Sequence, residues 1–310
     1  MKTFDAVVIG DVNIDLIVVG YDKPPLPGEE VFVDRMTTHV GGGAAIFSLV
    51  LAKLGMKLAF NGVLGEDDYG HFLRKQFSRY GIETRYIKTS HTANTGVSIA
   101  LQPEKDRSFI SYAGSNAELN LRQLDMNSVD ESRHVHLTCY KGRANHEEFM
   151  ETVRLLKARG VTLSFDTGWD DTGEWYQGIM ELAGQIDVFF MNEVEALHYT
   201  GCGNVEDAVQ LLARHGKRVI VKLGDKGALS IVDGKRWYHP GYKVKALDTT
   251  GAGDSFNAGY VYGFLAGASP KQCLAFGNAC GALSVSAYGG SAGAADREML
   301  EHFMAANAVM

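Results

Sequence analysis

An aspartate directly behind a glycine turn, in Asp248-Thr249-Thr250-Gly251-Ala252-Gly253-Asp254-Ser255-Phe256, is where this chain could bring an anion and a proton acceptor to one site. Downstream, Phe256, Tyr260 and Phe264 recur every four residues, and Ser255, Gly259 and Gly263 form a small-residue stripe at the same interval. That spacing predicts a helix with a close-packing face. Thr249 or Thr250 would cap it, leaving the N–H groups of Gly251, Ala252 and Gly253 pointing out of an N-terminus where anions bind. Asp254 would then stand beside the anion as a base, although the same residues also suit a plain loop and a favourable first-turn acid.

Three other places pair a strand with polar or glycine-rich residues. Val7-Val8-Ile9 leads into Gly10-Asp11-Val12-Asn13-Ile14-Asp15, and Asn13 and Asp15 project from one side of an extended segment, so they could grip two hydroxyls or simply make a turn. Asn192 and Glu195 follow the apolar run Val188-Phe189-Phe190 at a spacing that lets both face one site, or close a helix cap. Val219-Ile220-Val221 runs into Lys222-Leu223-Gly224-Asp225-Lys226-Gly227, a strand exit of the kind where open α/β sheets bind ligands.

Together these strings resemble the signatures of the ribokinase-like (pfkB) family of carbohydrate kinases. The resemblance implies that Asp254 is the catalytic base and that Gly251, Ala252 and Gly253 form the anion hole. It implies that Asn13 and Asp15, with Gly41, Gly42 and Gly43, hold the sugar. Asn192, Lys222, Gly224, Gly227 and Asn278 would bind ATP, and Glu195 would hold Mg2+ through water. Asp248 and Thr250, with the loop 287–291, would hold a monovalent cation, K+. Asp254 would need no raised pKa, since an ionised carboxylate near a helix N-terminus is ready to take a proton. One departure stands out: Ile46 occupies the position where the family usually carries an asparagine. The substrate is then deoxygenated or apolar at that point, or another side chain takes over. The implied function is ATP-dependent phosphorylation of a sugar or sugar-derivative hydroxyl. A nucleoside kinase, or a non-catalytic sugar- or nucleotide-binding regulator on the same fold, is the alternative.

The elements needed to hold these residues are legible. Apolar runs at 6–9, 58–64, 135–138, 162–165, 188–191 and 218–223 read as strands, with helices at 44–54 and 147–158 among those between them. This order implies an α/β fold with a mostly parallel sheet and helices on both faces. Segments 13–19, 31–40, 95–101 and 107–113 read as strands without intervening helices, a small separate β-sheet. By resemblance it is a lid over the sugar, inserted into one catalytic domain at about 13–40 and 95–113, and a surface for a homodimer. A last helix is expected at 296–304.

At 310 residues and 45% apolar content, the chain is large enough for a substantial core. A formal net charge of -7 with no basic run argues against nucleic acid and anionic membrane as partners, leaving a small sugar-like molecule. No long apolar stretch is present, and the four cysteines show no metal-ligand spacing, so a cytoplasmic protein with reduced thiols is expected. His134 and His136 face the same way on a strand but lack a third ligand for zinc. No Gly-x-x-x-x-Gly-Lys-Ser/Thr loop and no Gly-x-Gly-x-x-Gly after the first strand is found, which disfavours a P-loop ATPase and a dinucleotide-dependent dehydrogenase.

Overall fold

Alternate residues of the central strands part to opposite sides of one sheet, and both sides are apolar. The computed structural model describes residues 2–102, 108–170, 172–287, 289–290 and 293–307. Its strands are β1 (Ala6–Ile9), β2 (Asn13–Val19), β3 (Arg35–Gly41), β4 (Leu58–Asn61), β5 (Val63–Gly65), β6 (Lys88–Ser90), β7 (Gly96–Gln102), β8 (Ser108–Tyr112), β9 (His134–Leu137), β10 (Thr162–Asp166), β11 (Val188–Asn192), β12 (Arg218–Lys222), β13 (Ala228–Val232) and β14 (Lys235–His239). Its helices are α1 (Gly43–Lys53), α2 (Asp68–Arg79), α3 (Met126–Asp130), α4 (His146–Ala158), α5 (Ile179–Ala183), α6 (Glu193–Thr200), α7 (Val205–Leu212), α8 (Ala252–Leu265), α9 (Pro270–Ser284) and α10 (Arg297–Ala306).

The large sheet runs β14-β13-β12-β11-β10-β9-β1-β4, parallel from β12 to β4. Val8, Phe190 and Ile220 enter the core under α1, α8 and α9, whereas Val7, Phe189 and Val219 enter the core under α4, α6 and α7. Burial on both faces is why these strands read as unbroken apolar runs. The expected parallel sheet is therefore present, but its edge is an unforeseen antiparallel hairpin, β13–β14. Asp233 (φ 49°) and Gly234 (φ 75°) make its turn, and Asp-Gly is the pair that tolerates two left-handed residues in a tight hairpin.

The second sheet, β3-β2-β7-β8, sets Asn13 opposite Gly41 and Asp15 opposite His39. The second of the four expected segments begins at Arg35, four residues later than the pattern predicts. Arg107, where the fourth was expected to begin, lies outside the described residues, and the strand is described from Ser108. The small-residue stripe of α8 lets α9 approach closely: a Cβ on Gly259 would lie 2.6 Å from the Phe276 carbonyl oxygen. Among the described residues no helix is long and apolar enough to cross a membrane.

Candidate active site

The 248–254 turn leaves α8 with an open N-terminus. Gly251 is the N-cap residue at φ 69°, and no side chain caps the first turn. Neither threonine serves as the expected cap, because the Asp248 carboxylate draws Thr250 away: it accepts the Thr250 N–H (2.9 Å) and hydroxyl (2.8 Å) on Oδ1, and the Gly289 N–H (2.9 Å) on Oδ2. The result favours an anion at the helix start. Tyr288 and Ser291, in the loop expected to share a cation with Asp248 and Thr250, lie outside the described residues.

Two cavities meet at this turn. Thr250, Gly251 and Asp254 line one of about 290 Å3, together with Asn13, Asp15 and Ile46. Thr249, Ala252 and Gly253 line another of about 480 Å3, with Lys222, Gly224 and Asn278. One backbone turn thus separates the residues expected to hold an acceptor from those expected to hold a nucleotide.

On the first side, Asn13 Nδ2 donates to Asp15 Oδ1 at 2.9 Å, fixing the pair on one face of β2. Gly42 and Gly43 line the cavity, but Gly41 does not: a Cβ there would stand 2.0 Å from Asp15 Oδ1, so this glycine makes room for the carboxylate instead. Burial, reinforced by Asp11 and Asp248 and opposed by the Asn13 hydrogen bond, pushes the Asp15 carboxyl up to about 7. Ile46 is 2% exposed and presents its Cδ1 to Gly251. Across the cavity, Asn116 supplies an amide that the sequence reading passed over, and its Oδ1 accepts the Val12 N–H at 3.0 Å.

Asp11, also passed over, joins the halves of this wall. Its carboxylate accepts the Gly43 N–H (2.8 Å), the Ala44 N–H (3.3 Å) and the Thr138 hydroxyl (2.9 Å), anchoring the start of α1. Gly43 is thereby held against Asp254, and a Cβ at 43 would lie 2.9 Å from Asp254 Oδ1. Gly43→Ala is expected to displace that carboxylate and lower kcat about 10- to 100-fold, with the melting temperature little changed. Steady-state kinetics beside a thermal melt checks this, and unaltered kcat contradicts it.

Asp254 is not the ordinary carboxylate that the sequence implied. Burial, followed by the charge of Asp166 and then of Asp11 and Asp15, pushes it up to about 7, against the opposing pull of Lys222. A base must be ionised to act, so with Asp254 in the role the sequence suggests, kcat/KM is expected to fall as pH drops through about 7, with Asp15 titrating in the same range. A profile flat between about pH 5.5 and 8.5 contradicts it.

Lys222 is the cation at the centre of this charge. Its Nζ lies 3.0 and 3.1 Å from the Asp166 oxygens, and Asn257 Nδ2 donates to Asp166 Oδ2 at 2.6 Å. Burial works against the ammonium, but Asp166, Glu195 and Asp254 together hold its pKa above the usual lysine value. A Cβ on Gly253 would come 3.3 Å from Nζ, so the turn passes close against the lysine tip.

Asn192 and Glu195 form a complete capping box at the start of α6, the structural role their spacing also allowed. Asn192 Oδ1 accepts the Glu195 N–H (2.8 Å), and Glu195 accepts from the Asn192 N–H (2.9 Å), the Asn192 amide (2.6 Å) and the Thr167 hydroxyl (2.8 Å). Neither is among the residues lining the two cavities. Burial, then Asp166, raises the Glu195 carboxyl.

On the second side, Gly224 and Gly227 both line the cavity. Gly227 is required by the backbone, since at φ 104° its Cβ would stand 2.2 Å from the His239 carbonyl oxygen. Asn278 also lines the cavity, and its amide nitrogen donates to the His239 (3.0 Å) and Pro240 (3.2 Å) carbonyls, shaping the wall. Lys226 is exposed and 3.7 Å from Glu193.

His134 and His136 are core residues. His134 bonds Thr162 and Ser164, His136 bonds Ser164 and stacks on Phe47 at 3.7 Å, and burial pulls both down to about 3. Among the described residues no group of three or more His, Cys, Asp or Glu could hold a metal ion.

Comparison with known proteins identifies the class. A family model described as pfkB family carbohydrate kinase matches residues 3–297. The chain belongs to the pfkB family and is a carbohydrate kinase. It is 27% identical to 5-dehydro-2-deoxygluconokinase of Bacillus subtilis (strain 168), over 98% of this chain and 97% of the relative. Among solved structures, a ribokinase from Thermotoga maritima matches with a TM-score of 0.83 and 28% identity, covering 97% and 99% of the two chains. An Arabidopsis thaliana ribokinase, solved with ribose and ATP, matches with a TM-score of 0.82 and 26% identity over 98% and 99%.

Proposed function

We propose that this kinase transfers the γ-phosphoryl group of ATP to a sugar hydroxyl, with Asp254 as general base and the 251–253 amides as anion hole. The observation that carries this reading is the turn shared by two cavities, one lined by Asn13, Asp15 and Asp254 and the other by Lys222, Gly224 and Asn278. A shared wall allows an acceptor and a phosphate to meet while their remaining parts stay in separate compartments.

The chain's residues divide the work. Asn13 and Asp15 orient the acceptor, and Asp254 takes the proton from its reacting hydroxyl. The N-terminus of α8 and the Lys222 ammonium stabilise the charge spread over the transferring phosphoryl oxygens, the main demand of a loose transition state. The four-stranded sheet acts as a lid that excludes water, and its exposed Met36 and Ile110 would also pair two copies. Glu195 and Asp166 supply only oxygen donors, which suits Mg2+ carried on the nucleotide phosphates rather than caged by protein. When bound, that ion would neutralise phosphate charge. K+ would lie against the backbone carbonyls of Asp248, a buried residue, and Thr250; equal rates in K+ and in a large organic cation remove it.

A coupled assay of ADP release with MgATP and ribose, fructose, 2-keto-3-deoxygluconate, sugar phosphates and nucleosides tests the function. Acceptor-dependent ADP release is expected, and release no faster than without acceptor refutes it. Phe109 and Tyr112 line the acceptor cavity and favour, as a second reading, a nucleoside whose base stacks on them.

A further inference from the structure

Resting on the kinase reading, we propose that the acceptor is an uncharged sugar, neither a sugar acid nor a sugar phosphate, and that it presents a C–H where Ile46 stands. None of the described residues lining the acceptor cavity is basic. Two of them, Asp15 and Asp254, are carboxylic acids, and both feel the charge of Asp11. The imidazole nearest in register to Asp15 offers no counter-charge: His39 is half-buried, burial holds its pKa below the usual value with Arg35 adding to the effect and Asp248 opposing, and its Nε2 is engaged by Thr37 Oγ1 at 2.9 Å. An acceptor carrying a carboxylate or phosphate would place like charge against like charge with no basic side chain among the described lining residues to offset it. A gluconate-type acid, the acceptor in the name of the Bacillus subtilis relative, is therefore the sharpest comparison.

Ile46 sets the second condition. It is 2% exposed, lines the cavity and packs against Gly251 of the turn, so the wall beside the anion hole is hydrocarbon. A hydroxyl pressed there loses its water and gains no partner, whereas a C–H loses nothing. The hydrogen-bonding groups stand elsewhere, at Asn13, Asp15, Asn116 and the pair Ser98–Ser111, whose hydroxyls are 2.8 Å apart.

The experiment measures kcat/KM with MgATP for matched acceptors: ribose against 2-deoxyribose, and fructose against fructose 6-phosphate and 2-keto-3-deoxygluconate. The best acceptor is expected to be uncharged and to exceed every acid and phosphate by at least about 100-fold. Ile46→Asn is expected to raise the ratio of hydroxylated to deoxy acceptor by about 5- to 150-fold. Ser98→Lys, which places a cation on the wall, is expected to raise acids and phosphates relative to neutral sugars by at least about 10-fold, and it decides alone if the Asn variant does not fold. An acid or phosphate as best acceptor, or ratios unmoved in a folded variant, overturns this inference and leaves the kinase standing. Turnover of no acceptor removes the kinase reading and this inference with it.

Discussion

Asp254→Asn is expected to bind nucleotide as the wild type does and to lose about 100- to 10,000-fold in kcat. The amide matches the carboxylate in shape but cannot take a proton, and Gly43 leaves room for it, since only a Cβ at position 43 would close to 2.9 Å. The cavity proposed for the nucleotide is lined by Lys222, Gly224 and Asn278 rather than by Asp254, so ATP affinity is expected to change little. The variant also loses the share of the acidic limb near pH 7 that comes from the raised Asp254 carboxyl, leaving that of Asp15. Titration of ATP binding beside steady-state turnover checks both halves. Turnover within about threefold of wild type would take the role away from Asp254.

Lys222→Met is the second large effect, and it falls on stability as well as rate. The Lys222 and Asp166 side chains are 13% and 12% exposed, and Asp166, Glu195 and Asp254 all act on the ammonium. Removing it leaves buried carboxylates uncompensated, a class of change that costs about 3–5 kcal/mol. The cost has a definite pH dependence. Asp254 and Glu195 are raised in the folded protein, so protonation relieves the repulsion, and the variant is expected to be less impaired at about pH 5 than at about pH 8. Lys222 pulls the Asp254 pKa down, so its loss moves the acidic limb of the rate profile to higher pH. Urea unfolding at the two pH values measures this. A penalty below about 1 kcal/mol at both would show that Lys222 is not holding these acids together.

What the sequence made legible was local. The glycine turn, the acid behind it and the small-residue stripe of α8 lie within one stretch, and Asn13 and Asp15 are two residues apart on one strand. Burial on both faces of the large sheet wrote the parallel strands as apolar runs. What stayed hidden was assembled from distant segments. Asn257 reaches Asp166 across 91 positions, and Asp11 reaches Gly43 across 32 and Thr138 across 127, separations for which no periodicity exists. The raised Asp254 pKa was hidden for the same reason, since Asp166, Asp11 and Asp15 come from other strands and strand exits. The β13–β14 hairpin was different: its Asp233-Gly234 turn was in plain view between two strand-like runs. Asn192 and Glu195 show that one spacing can serve two ends, because their hydrogen bonds close a helix cap beside the cluster around Lys222.

The claim on which the account rests is that the turn between the two cavities passes a phosphoryl group from one to the other. Incubation of the protein with γ-labelled ATP and its best acceptor, followed by quantitation of labelled acceptor against ADP, measures that passage directly. One labelled acceptor per ADP is expected from the wild type, with both falling together in Asp254→Asn. ADP formed with the label in free phosphate, or acceptor labelled as fast by Asp254→Asn as by the wild type, would contradict it.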